Sequence, residues 1–419
     1  MKFPLKLRFP LKYTYCLEAL KILICEYFSG GGFAGEKPPA WGLTEGYAML
    51  KALIEDFKAL NLQVYTLLDG RIDSSGLPAN RVVKVSSQQE FWRSLKGLLS
   101  EVEAALMVAP EQRGALSTLV GMAEEAGVST LNCPSSLLRK FPGKAEFLEA
   151  LKGRVKFPET VKAESGPNKL NLDYPLVVKP SRSAGCSGLS FVPSSELLEE
   201  ALSFALEGGD PPVLVQKHVS GLPVSVSLIA CKGKAYPLSL NLQLVKLNPP
   251  PIGGSYLGGL TPLPIENGRI AVEEALKAAE ALGGEPSGFL GVDLVLAGGE
   301  AWVMDINLRL TTSYLGLRKV LPENLASLML QAARGRLTAD SLPKPFRAAF
   351  WLKSSSLPPA TSSLEFYAPR GGEALLVGWD ETVEGLALKV EALAGALNAE
   401  GLEALRDVLS RVGCGRCKS

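Results

Sequence analysis

The chain has 419 residues, of which 47% are hydrophobic and 21% are charged. This length suffices for two or three domains with hydrophobic cores, and the composition is typical of a soluble globular protein. The 44 basic and 43 acidic residues leave a formal net charge of +1, which gives no indication of a nucleic-acid or anionic-membrane surface. No apolar run approaches the roughly 20 residues that a membrane-spanning helix needs.

The first residues, 1–20, are basic and partly apolar. Lysines and prolines interrupt the apolar positions and no small-residue cleavage site follows, so we interpret this stretch as an extension and not as a signal peptide. The seven cysteines are scattered and odd in number, which favours reduced thiols in a cytoplasm over a disulfide framework. Cys414 and Cys417 form a lone C-x-x-C motif. Because the chain has one histidine, a redox pair or an inert tail is favoured over a zinc site.

Strand and helix patterns alternate in the first third of the chain. Hydrophobic periodicity predicts strands and amphipathic helices, at residues 21–28 (strand), 44–60 (helix), 63–69 (strand), 103–110 (strand) and 116–127 (helix). Thr44 is the expected N-cap of the first helix, and Gly127 is expected to end the second. This alternation predicts a small doubly wound α/β domain with a parallel sheet.

From about residue 160 onward, the pattern changes to strands joined by short turns, which we expect to be antiparallel. The predicted elements are strands within 174–192, 212–221 and 222–245, a helix at 271–284, and a strand pair within 291–310. Residues after 336 are less informative. They contain a Pro- and Ser-rich linker at 354–363 and a Leu- and Ala-rich helix near 382–397.

A glycine-containing hairpin follows Lys179, with Gly185 and Gly188 in its loop. In a Walker A loop the lysine comes after the glycines and opens a helix, whereas here it comes first. Small residues allow backbone N–H groups to close over an anion, and a lysine on the strand beneath supplies a positive charge. A flexible hairpin with a surface lysine would show the same pattern.

Polar residues alternate along the last predicted strand, at Asp305, Asn307 and Arg309. Side chains at every second position share one face of a strand. A solvated face would show the same alternation. However, carboxylate and amide oxygens suit Mg²⁺, and an arginine can hold phosphate or carboxylate oxygens with two hydrogen bonds. The order along the face indicates a place for metal-bound phosphates.

Asp293, on the preceding strand, can join this face only if the two strands pair with an odd register offset. A three-residue loop at Ala297–Gly299 provides that offset and places Gly299 where a left-handed residue is preferred. A two-residue Gly-Gly turn puts Asp293 and Asp305 on opposite faces unless a β-bulge inserts one residue. We therefore predict the three-residue loop.

These elements in this order resemble the ATP-grasp ligases over roughly residues 135–320. They are the strand lysine with its glycine hairpin, the segment VLVQKHV, then GVD, then DIN-x-R. Within that superfamily, several stretches are similar to an archaeal group of tyramine–glutamate ligases of methanofuran biosynthesis. These stretches are CEYFSGGG, LTEGYAMLKALIEDF, LLDGRID, SVSL, LSLNLQ and NLRLTTSYLGL.

The resemblance implies a fold of mixed α/β and α+β type. An N-terminal doubly wound α/β (pre-ATP-grasp) domain is followed by the lid and the core antiparallel sheets of an ATP-grasp fold, and then by a C-terminal extension. The implied boundaries are 1–20 for the leading extension, 21–135 for the N-terminal domain, 136–222 for the lid, 223–335 for the core with the metal site, and 336–419 for the C-terminal extension.

The resemblance also implies roles for single residues in binding ATP. Lys179 matches the lysine that contacts the phosphates, and a second ATP lysine is assigned to Lys144, with Lys140 as the alternative. The loop over the nucleotide matches Ala184, Gly185, Cys186, Ser187 and Gly188, and the hinge at adenine matches Gln216, Lys217 and Val219. The acidic ribose ligand of the family has no counterpart in the segment SGLPVSV.

The implied metal ligands are Asp293, Asp305 and Asn307, for one or two Mg²⁺ ions with Mn²⁺ as an acceptable substitute. The family usually has a glutamate where this chain has Asp305, which is one methylene shorter. Arg309 matches the arginine that steadies the phosphorylated intermediate. We interpret His218 as a structural residue or part of the adenine shell. Tyr256, Gly258, Gly259 and Thr311 to Ser313 line the acceptor side or have no chemical role.

The implied activity is ATP-dependent ligation of a carboxylate to an amine through an acyl phosphate, with Lys179 and Arg309 as catalytic residues. L-Glutamate and tyramine are the expected substrates. The alternatives are another amino acid or amine, and a nucleotide-binding regulator without turnover. The expected partners are small molecules, with no nucleic acid and no membrane. Whether the chain forms a homodimer is left open.

Overall fold

The computed structural model describes residues 20–163, 172–356, 363–369, 373–394, 397 and 400–413. The leading extension before residue 20, Cys414 and Cys417, and residues 357–362 of the predicted linker lie outside the described residues. Among the described residues, no helix has both the length and the apolar character needed to cross a membrane.

The N-terminal domain is built on a five-stranded parallel sheet in the order β3-β2-β1-β4-β5. The strands are β1 (Lys21–Glu26), β2 (Gln63–Asp69), β3 (Arg81–Val85), β4 (Ala104–Val108) and β5 (Ser129–Thr130). Strands β1 and β4 are apolar on both faces because helices cover both sides of the sheet. The chain winds from β1 outward to β3 and then crosses to β4, so the strand order reverses between Glu26 and Val108, which are paired. The predicted doubly wound α/β domain is confirmed.

Helices α1 (Ala40–Ala59), α2 (Gln88–Leu99) and α3 (Ala115–Glu125) cover this sheet, and α4 (Ser135–Lys140) and α5 (Lys144–Leu151) lead to the next domain. The expected end of α3 at Gly127 is confirmed, because Gly127 is left-handed with φ of 74°. The predicted N-cap Thr44 is wrong. Helix α1 begins after Pro39, and Thr44 is inside the helix and 4% exposed. Tertiary packing overrides the low helix propensity of the glycines in the first turns.

A four-stranded antiparallel sheet forms the lid, in the order β6-β9-β7-β8. Its strands are β6 (Thr160–Ala163), β7 (Leu176–Arg182), β8 (Ser190–Val192) and β9 (Asp210–Lys217), and helix α6 (Leu198–Gly208) packs on one face. A small apolar cluster that includes Val178, Val215 and Ala201 joins the sheet to this helix. The lid therefore has a hydrophobic core of its own.

The core is an eight-stranded antiparallel sheet in the order β14-β13-β10-β11-β12-β15-β17-β16. Its strands are β10 (Leu222–Cys231), β11 (Lys234–Lys246), β12 (Ser255–Thr261), β13 (Gly288–Ala297), β14 (Glu300–Asn307), β15 (Ala348–Ser354), β16 (Leu364–Tyr367) and β17 (Ala374–Asp380). Helices α7 (Gly268–Ala281), α8 (Tyr314–Val320), α9 (Leu325–Ala333), α10 (Val383–Ala394) and α11 (Glu400–Gly413) complete it. Three strands from the region after residue 336 thus continue the core sheet.

The turn between β13 and β14 contains two residues, because Ala297 pairs with Glu300. Gly298 and Gly299 both have positive φ, at 58° and 75°, as the tight primed turns of hairpins require. The left-handed conformation of Gly299 is confirmed. The predicted three-residue loop is wrong, since Ala297 belongs to the ladder.

A β-bulge restores the parity that the two-residue turn removes. Leu294 pairs with Val303, but Asp293 pairs with Asp305, so Met304 is the extra residue on β14. One extra residue shifts every later side chain of that strand to the other face. Asp293 and Asp305 are therefore neighbours on the same face of the hairpin, as we predict from the sequence.

Candidate active site

A cleft of about 570 Å³ lies where the three sheets meet. Its walls come from the C-terminal ends of β1 and β4, from the lid strands β7 and β9, and from one face of the core hairpin β13–β14. The residues that the sequence suggests for ATP and metal line this cleft, apart from Ser187, Gly188 and the alternative lysine Lys140. Residues more than 100 positions apart in the chain thus face one space.

Two carboxylates and an amide lie side by side at the core end of the cleft. Asp293 accepts hydrogen bonds from Gln243 Nε2 (2.8 Å, to Oδ1) and from Asn307 Nδ2 (3.0 Å, to Oδ2). Burial, followed by the charge of Asp305, raises the pKa of Asp293 to about 6. The protein alone therefore does not fully balance the negative charge of these two carboxylates. A cation bound here would favour the ionised form of both.

This donor set fits magnesium. No group of three or more His, Cys, Asp or Glu side chains in the described part of the chain could hold a metal ion, so an all-carboxylate or His/Cys cage is excluded there. Asp293, Asp305 and Asn307 instead offer two carboxylates and one amide. Mg²⁺ is usually bound by one or two carboxylates together with waters and substrate phosphates.

Lys179 lies inside β7 and is 4% exposed. Its Nζ donates to Gln216 Oε1 (2.9 Å) and to the backbone oxygen of Met304, the bulged residue (3.2 Å). Burial, followed by the positive charge of Lys144, lowers the pKa of Lys179 to about 8. An anion that enters the cleft would raise the pKa of Lys179 again, because a nearby negative charge favours the ammonium form.

Lys144 and Lys140 have different surroundings. Lys144 Nζ lies 3.1 Å from Asp305 Oδ2 and donates to the Ser183 backbone oxygen (3.1 Å). Lys140 points away from the cleft, where its Nζ donates to the Leu282 backbone oxygen (3.4 Å). The geometry places Lys144 beside the carboxylates and leaves Lys140 outside the site.

The loop between β7 and β8 has the backbone shape that its glycines suggest. Gly185, Cys186 and Gly188 all have positive φ, at 61°, 63° and 69°. Ser187 Oγ donates to the backbone oxygen of Gly208 at the end of α6 (2.6 Å), and a Cβ on Gly188 would come within 3.0 Å of Gly208 Cα. The loop is tied to α6 at one end, while Ala184 to Cys186 line the cleft.

The hinge follows the end of β9. Gln216 is buried, and its amide is used within the protein, since Nε2 donates to Thr160 Oγ1 (2.8 Å) and Oε1 accepts from Lys179. Lys217 and Val219 line the cleft with the rest of the hinge. His218 packs edge-on against Phe191 at 5.1 Å, and burial lowers its pKa. His218 also lines the cleft, and this place suits both a structural residue and a part of the adenine shell.

Arg309 is held by three separate groups. Its Nε donates to Glu111 Oε1 (2.8 Å), Nη2 to Asn307 Oδ1 (3.2 Å) and Nη1 to the Leu310 backbone oxygen (3.2 Å). Asn307 therefore links Asp293 and Arg309 in one chain of hydrogen bonds. Glu111 follows β4, 198 positions before Arg309. No motif in the sequence indicates this contact.

Some of the residues that the sequence suggests for the acceptor side, where the attacking amine would bind, do line the cleft. Tyr256 lines the cleft and accepts a hydrogen bond from Trp351 Nε1 (2.7 Å), and Thr311 to Ser313 line it as well. Gly258 and Gly259 do not line the cleft, so the second of their two interpretations, no chemical role, is the one that fits. Both are buried in β12 against Trp351, where a Cβ would come 2.0 Å from the Trp351 backbone oxygen or 2.4 Å from its ring. Their small size serves packing of the core sheet.

Two family models match this chain, and together they span the lid, the cleft and most of the parallel sheet. The pre ATP-grasp 3 domain matches residues 62–136, and the ATP-grasp domain matches residues 142–313. The chain belongs to the ATP-grasp ligases. The tyramine–L-glutamate ligase of Methanocaldococcus jannaschii is 29% identical over 314 residues, which are 74% of this chain and 89% of that protein.

Solved structures share the fold of this ATP-grasp ligase. A protein of Archaeoglobus fulgidus placed in the ATP-grasp superfamily is 24% identical with a TM-score of 0.61, covering 86% of this chain and 100% of that one. The biotin carboxylase domain of Hydrogenobacter thermophilus 2-oxoglutarate carboxylase, solved with MgADP, is 14% identical with a TM-score of 0.68 and 93% coverage of both chains. At these identities, the similarity to both structures concerns the fold alone.

Proposed function

We propose that this ATP-grasp ligase activates a carboxylate with ATP and joins it to an amine, with L-glutamate and tyramine as substrates. The observation that carries the proposal is the convergence of Lys144 and Lys179 with Asp293, Asp305 and Arg309 in one cleft. Cations, carboxylates and an amide in this arrangement suit the transfer of a phosphoryl group, for which positioning and charge neutralisation matter most.

ATP would lie between the lid and the core. Lys179 and Lys144 would contact its phosphates, and the backbone N–H groups of Ala184 to Cys186 would close over them. Because the Gln216 side chain is already bonded to Lys179 and Thr160, the hinge at Lys217 and Val219 would meet adenine through its backbone. Phosphate binding would favour the charged form of Lys179.

Magnesium would be held by Asp293, Asp305 and Asn307, as one or two ions. When bound, Mg²⁺ neutralises charge on phosphate oxygens and orients them for transfer. The cation would also remove the repulsion that raises the pKa of Asp293.

The reaction has two steps. A carboxylate oxygen of the acid attacks the γ-phosphorus of ATP, the bond from that phosphorus to the bridging oxygen breaks, and ADP leaves with the electron pair. The amine nitrogen then attacks the acyl carbon, inorganic phosphate leaves with the electron pair of the broken C–O bond, and the nitrogen loses a proton. Arg309, oriented by Glu111 and Asn307, would stabilise the charge on the transferred phosphoryl group.

No covalent enzyme intermediate is part of this proposal. Cys186 lines the cleft, and burial raises the pKa of its thiol to about 11, so it stays neutral and weakly nucleophilic. The choice of L-glutamate and tyramine is supported by the name of the Methanocaldococcus relative. Another amino acid or amine is the main alternative, and the complete set of Asp293, Asp305, Asn307 and Arg309 speaks against a regulator without turnover.

The test is the release of ADP across pairs of acids and amines. We expect ADP to appear with L-glutamate and tyramine together, and hydroxylamine in place of the amine to give the acyl hydroxamate of the activated acid. ADP release with a different pair would support the same ligase chemistry but assign other substrates. Tight ATP binding with no ADP release from any pair would instead support a regulator.

A further inference from the structure

Glu26, the last residue of β1, is a buried carboxyl in the cleft wall. It is 1% exposed and lines the cleft. Its Oε1 accepts from the Phe28 backbone N–H (2.9 Å), and its Oε2 accepts from the Ser29 backbone N–H and Ser29 Oγ (both 2.6 Å). These bonds occupy three of the about four acceptor positions that a carboxylate offers.

The three donors to Glu26 are all neutral. No ion pair in the described ranges includes Glu26, and the groups that most lower its pKa are the Ser29 hydroxyl and backbone N–H groups of residues 27–29. Burial raises the pKa of Glu26 to about 7, because a buried carboxylate without a counter-cation is unfavourable. A ligand that brings its own positive charge would complete this site.

The place of Glu26 in the sheet is one where ligands are expected. In open α/β sheets the crevice outside the carboxyl ends of the strands, at the point where strand order reverses, is the usual ligand site. That point lies between β1 and β4, at the paired residues Glu26 and Val108. Val108, Ala109 and Pro110 line the cleft beside it.

Two glycines of α1 let the helix backbone approach Glu26 and Phe28 closely. A Cβ on Gly46 would lie 2.5 Å from Glu26 Oε2, and a Cβ on Gly42 would lie 2.6 Å from the Phe28 ring. Both glycines line the cleft together with Phe28 and Met49. The carboxyl therefore lies against bare helix backbone, and an aromatic ring and a thioether line the same cleft, which suits a cation on an apolar body.

We propose that Glu26 binds the primary ammonium group of a substrate whose aromatic or aliphatic body contacts Phe28 and Met49. This rests on the proposed ligase function. The ammonium has two sources in such a reaction, the amine acceptor in its protonated form and the α-ammonium of an amino-acid donor. Glu26 would recognise the same group in both cases, and steady-state kinetics with each substrate distinguishes the two sources.

The variant Glu26→Gln keeps the size of the side chain and an oxygen acceptor, and removes the charge. At saturating concentrations of the other substrates, the KM of the substrate held at Glu26 should rise about 10- to 100-fold, the range expected for losing a charged hydrogen bond, while the KM of ATP stays the same. If the amine is held there, hydroxamate formation with hydroxylamine is unaffected. If the acid is held there, its KM rises in the hydroxylamine assay too.

The matched control is Asp69→Asn. Asp69 is a buried carboxylate at the end of the neighbouring strand β2, and it already pairs with Arg71 (2.6 Å). It lies outside the cleft. This variant should leave both substrate KM values unchanged. Any fall in melting temperature and rates that Asp69→Asn causes measures the structural effect of losing a buried carboxylate. If Glu26→Gln changes neither KM, or has only the same structural effect, the inference is wrong.

A measurement on the wild-type protein covers the case in which the variant does not fold. Calorimetric titration at pH 6 in two buffers of different ionisation enthalpy should show release of up to one proton when the ammonium-bearing substrate binds, and no release at pH 8. The analogue with a hydroxyl in place of the ammonium should release none. Equal proton release by substrate and analogue would overturn the inference. Failure of every acid and amine pair to yield ADP would count against the proposed function alone.

Discussion

Asp293 and Asp305 face each other across two neighbouring antiparallel strands because Met304 bulges out of the ladder between them. A two-residue turn would otherwise pair Asp293 with the residue before Asp305. The bulge also presents the Met304 backbone oxygen to Lys179 Nζ (3.2 Å). One extra residue in one strand thus places a carboxylate and anchors a lysine from another sheet.

The turn of this hairpin depends on left-handed backbone at Gly299. Nothing lies within 4 Å of a Cβ built there, so Gly299→Val introduces backbone strain without a steric clash. We expect a loss of about 1–2 kcal/mol in the free energy of unfolding, together with slower turnover because the hairpin carries metal ligands. Urea denaturation and a steady-state assay measure the two effects.

Gly97→Ala is the control for this substitution. Gly97 lies within α2, has open space around it and is not left-handed. Alanine there should stabilise the protein by about 0.5–1 kcal/mol. Equal effects of the two substitutions on stability would show that the turn conformation does not matter.

Asp305→Asn should abolish ATP turnover and leave the melting temperature nearly unchanged. A ligand to a doubly charged ion contributes several kcal/mol to transition-state stabilisation, and an amide replaces only part of it. Glu300→Gln is the comparison, since Glu300 is a partly exposed residue at the other end of the same strand, paired with Lys156. Normal rates for Asp305→Asn at ordinary Mg²⁺ concentrations would remove the metal assignment.

Lys144 and Lys140 are four residues apart and serve as a matched pair. Because only Lys144 reaches the cleft, Lys144→Met should raise the KM of ATP, by about tenfold or more if one charged contact is lost. Lys140→Met should leave it unchanged. Lys179→Ala should weaken ATP binding further with little change in the melting temperature of the nucleotide-free protein. A large loss of stability with normal ATP affinity would show that Lys179 is structural.

Glu26 should make stability depend on pH. Its folded pKa of about 7 lies above the ordinary value of 4.5, so the folded state binds the proton more tightly. The contribution to stability is fully present below about pH 4.5 and is lost as pH rises through 7. The loss amounts to about 3 kcal/mol, measured as the free energy of unfolding of the substrate-free protein between pH 5 and 8. Glu26→Gln should remove this contribution from the profile, and an unchanged profile would contradict the assignment.

The site residues that can be predicted from the sequence are those that lie close to one another in the chain. The period-2 alternation of Asp305 and Asn307 shows a shared strand face, and Lys179 before a glycine loop stands out by order alone. The bulge at Met304 is not visible, because a bulged residue has no composition of its own. Thr44 looks like an N-cap only because the tertiary contacts that keep Gly42 and Gly46 helical cannot be read from the sequence.

Residues brought in by long-range pairing are missed. Glu111 reaches Arg309 from another domain, and Gln243 reaches Asp293 across the strand between them. Glu26 ends an apolar strand with no partner motif, so its burial at the reversal of strand order emerges only from the topology. The strands after residue 336 join the core sheet through pairing such as Leu260 with Phe350, which no local pattern encodes.

The most direct test of the acyl-phosphate mechanism is the fate of the carboxylate oxygen. The acid is labelled with ¹⁸O in the carboxylate, ligation is run with ATP, Mg²⁺ and the amine, and the inorganic phosphate is analysed by mass spectrometry. The proposed reaction predicts one labelled oxygen in the phosphate for each amide formed, and ADP as the nucleotide product. Unlabelled phosphate, or label in AMP, would contradict it.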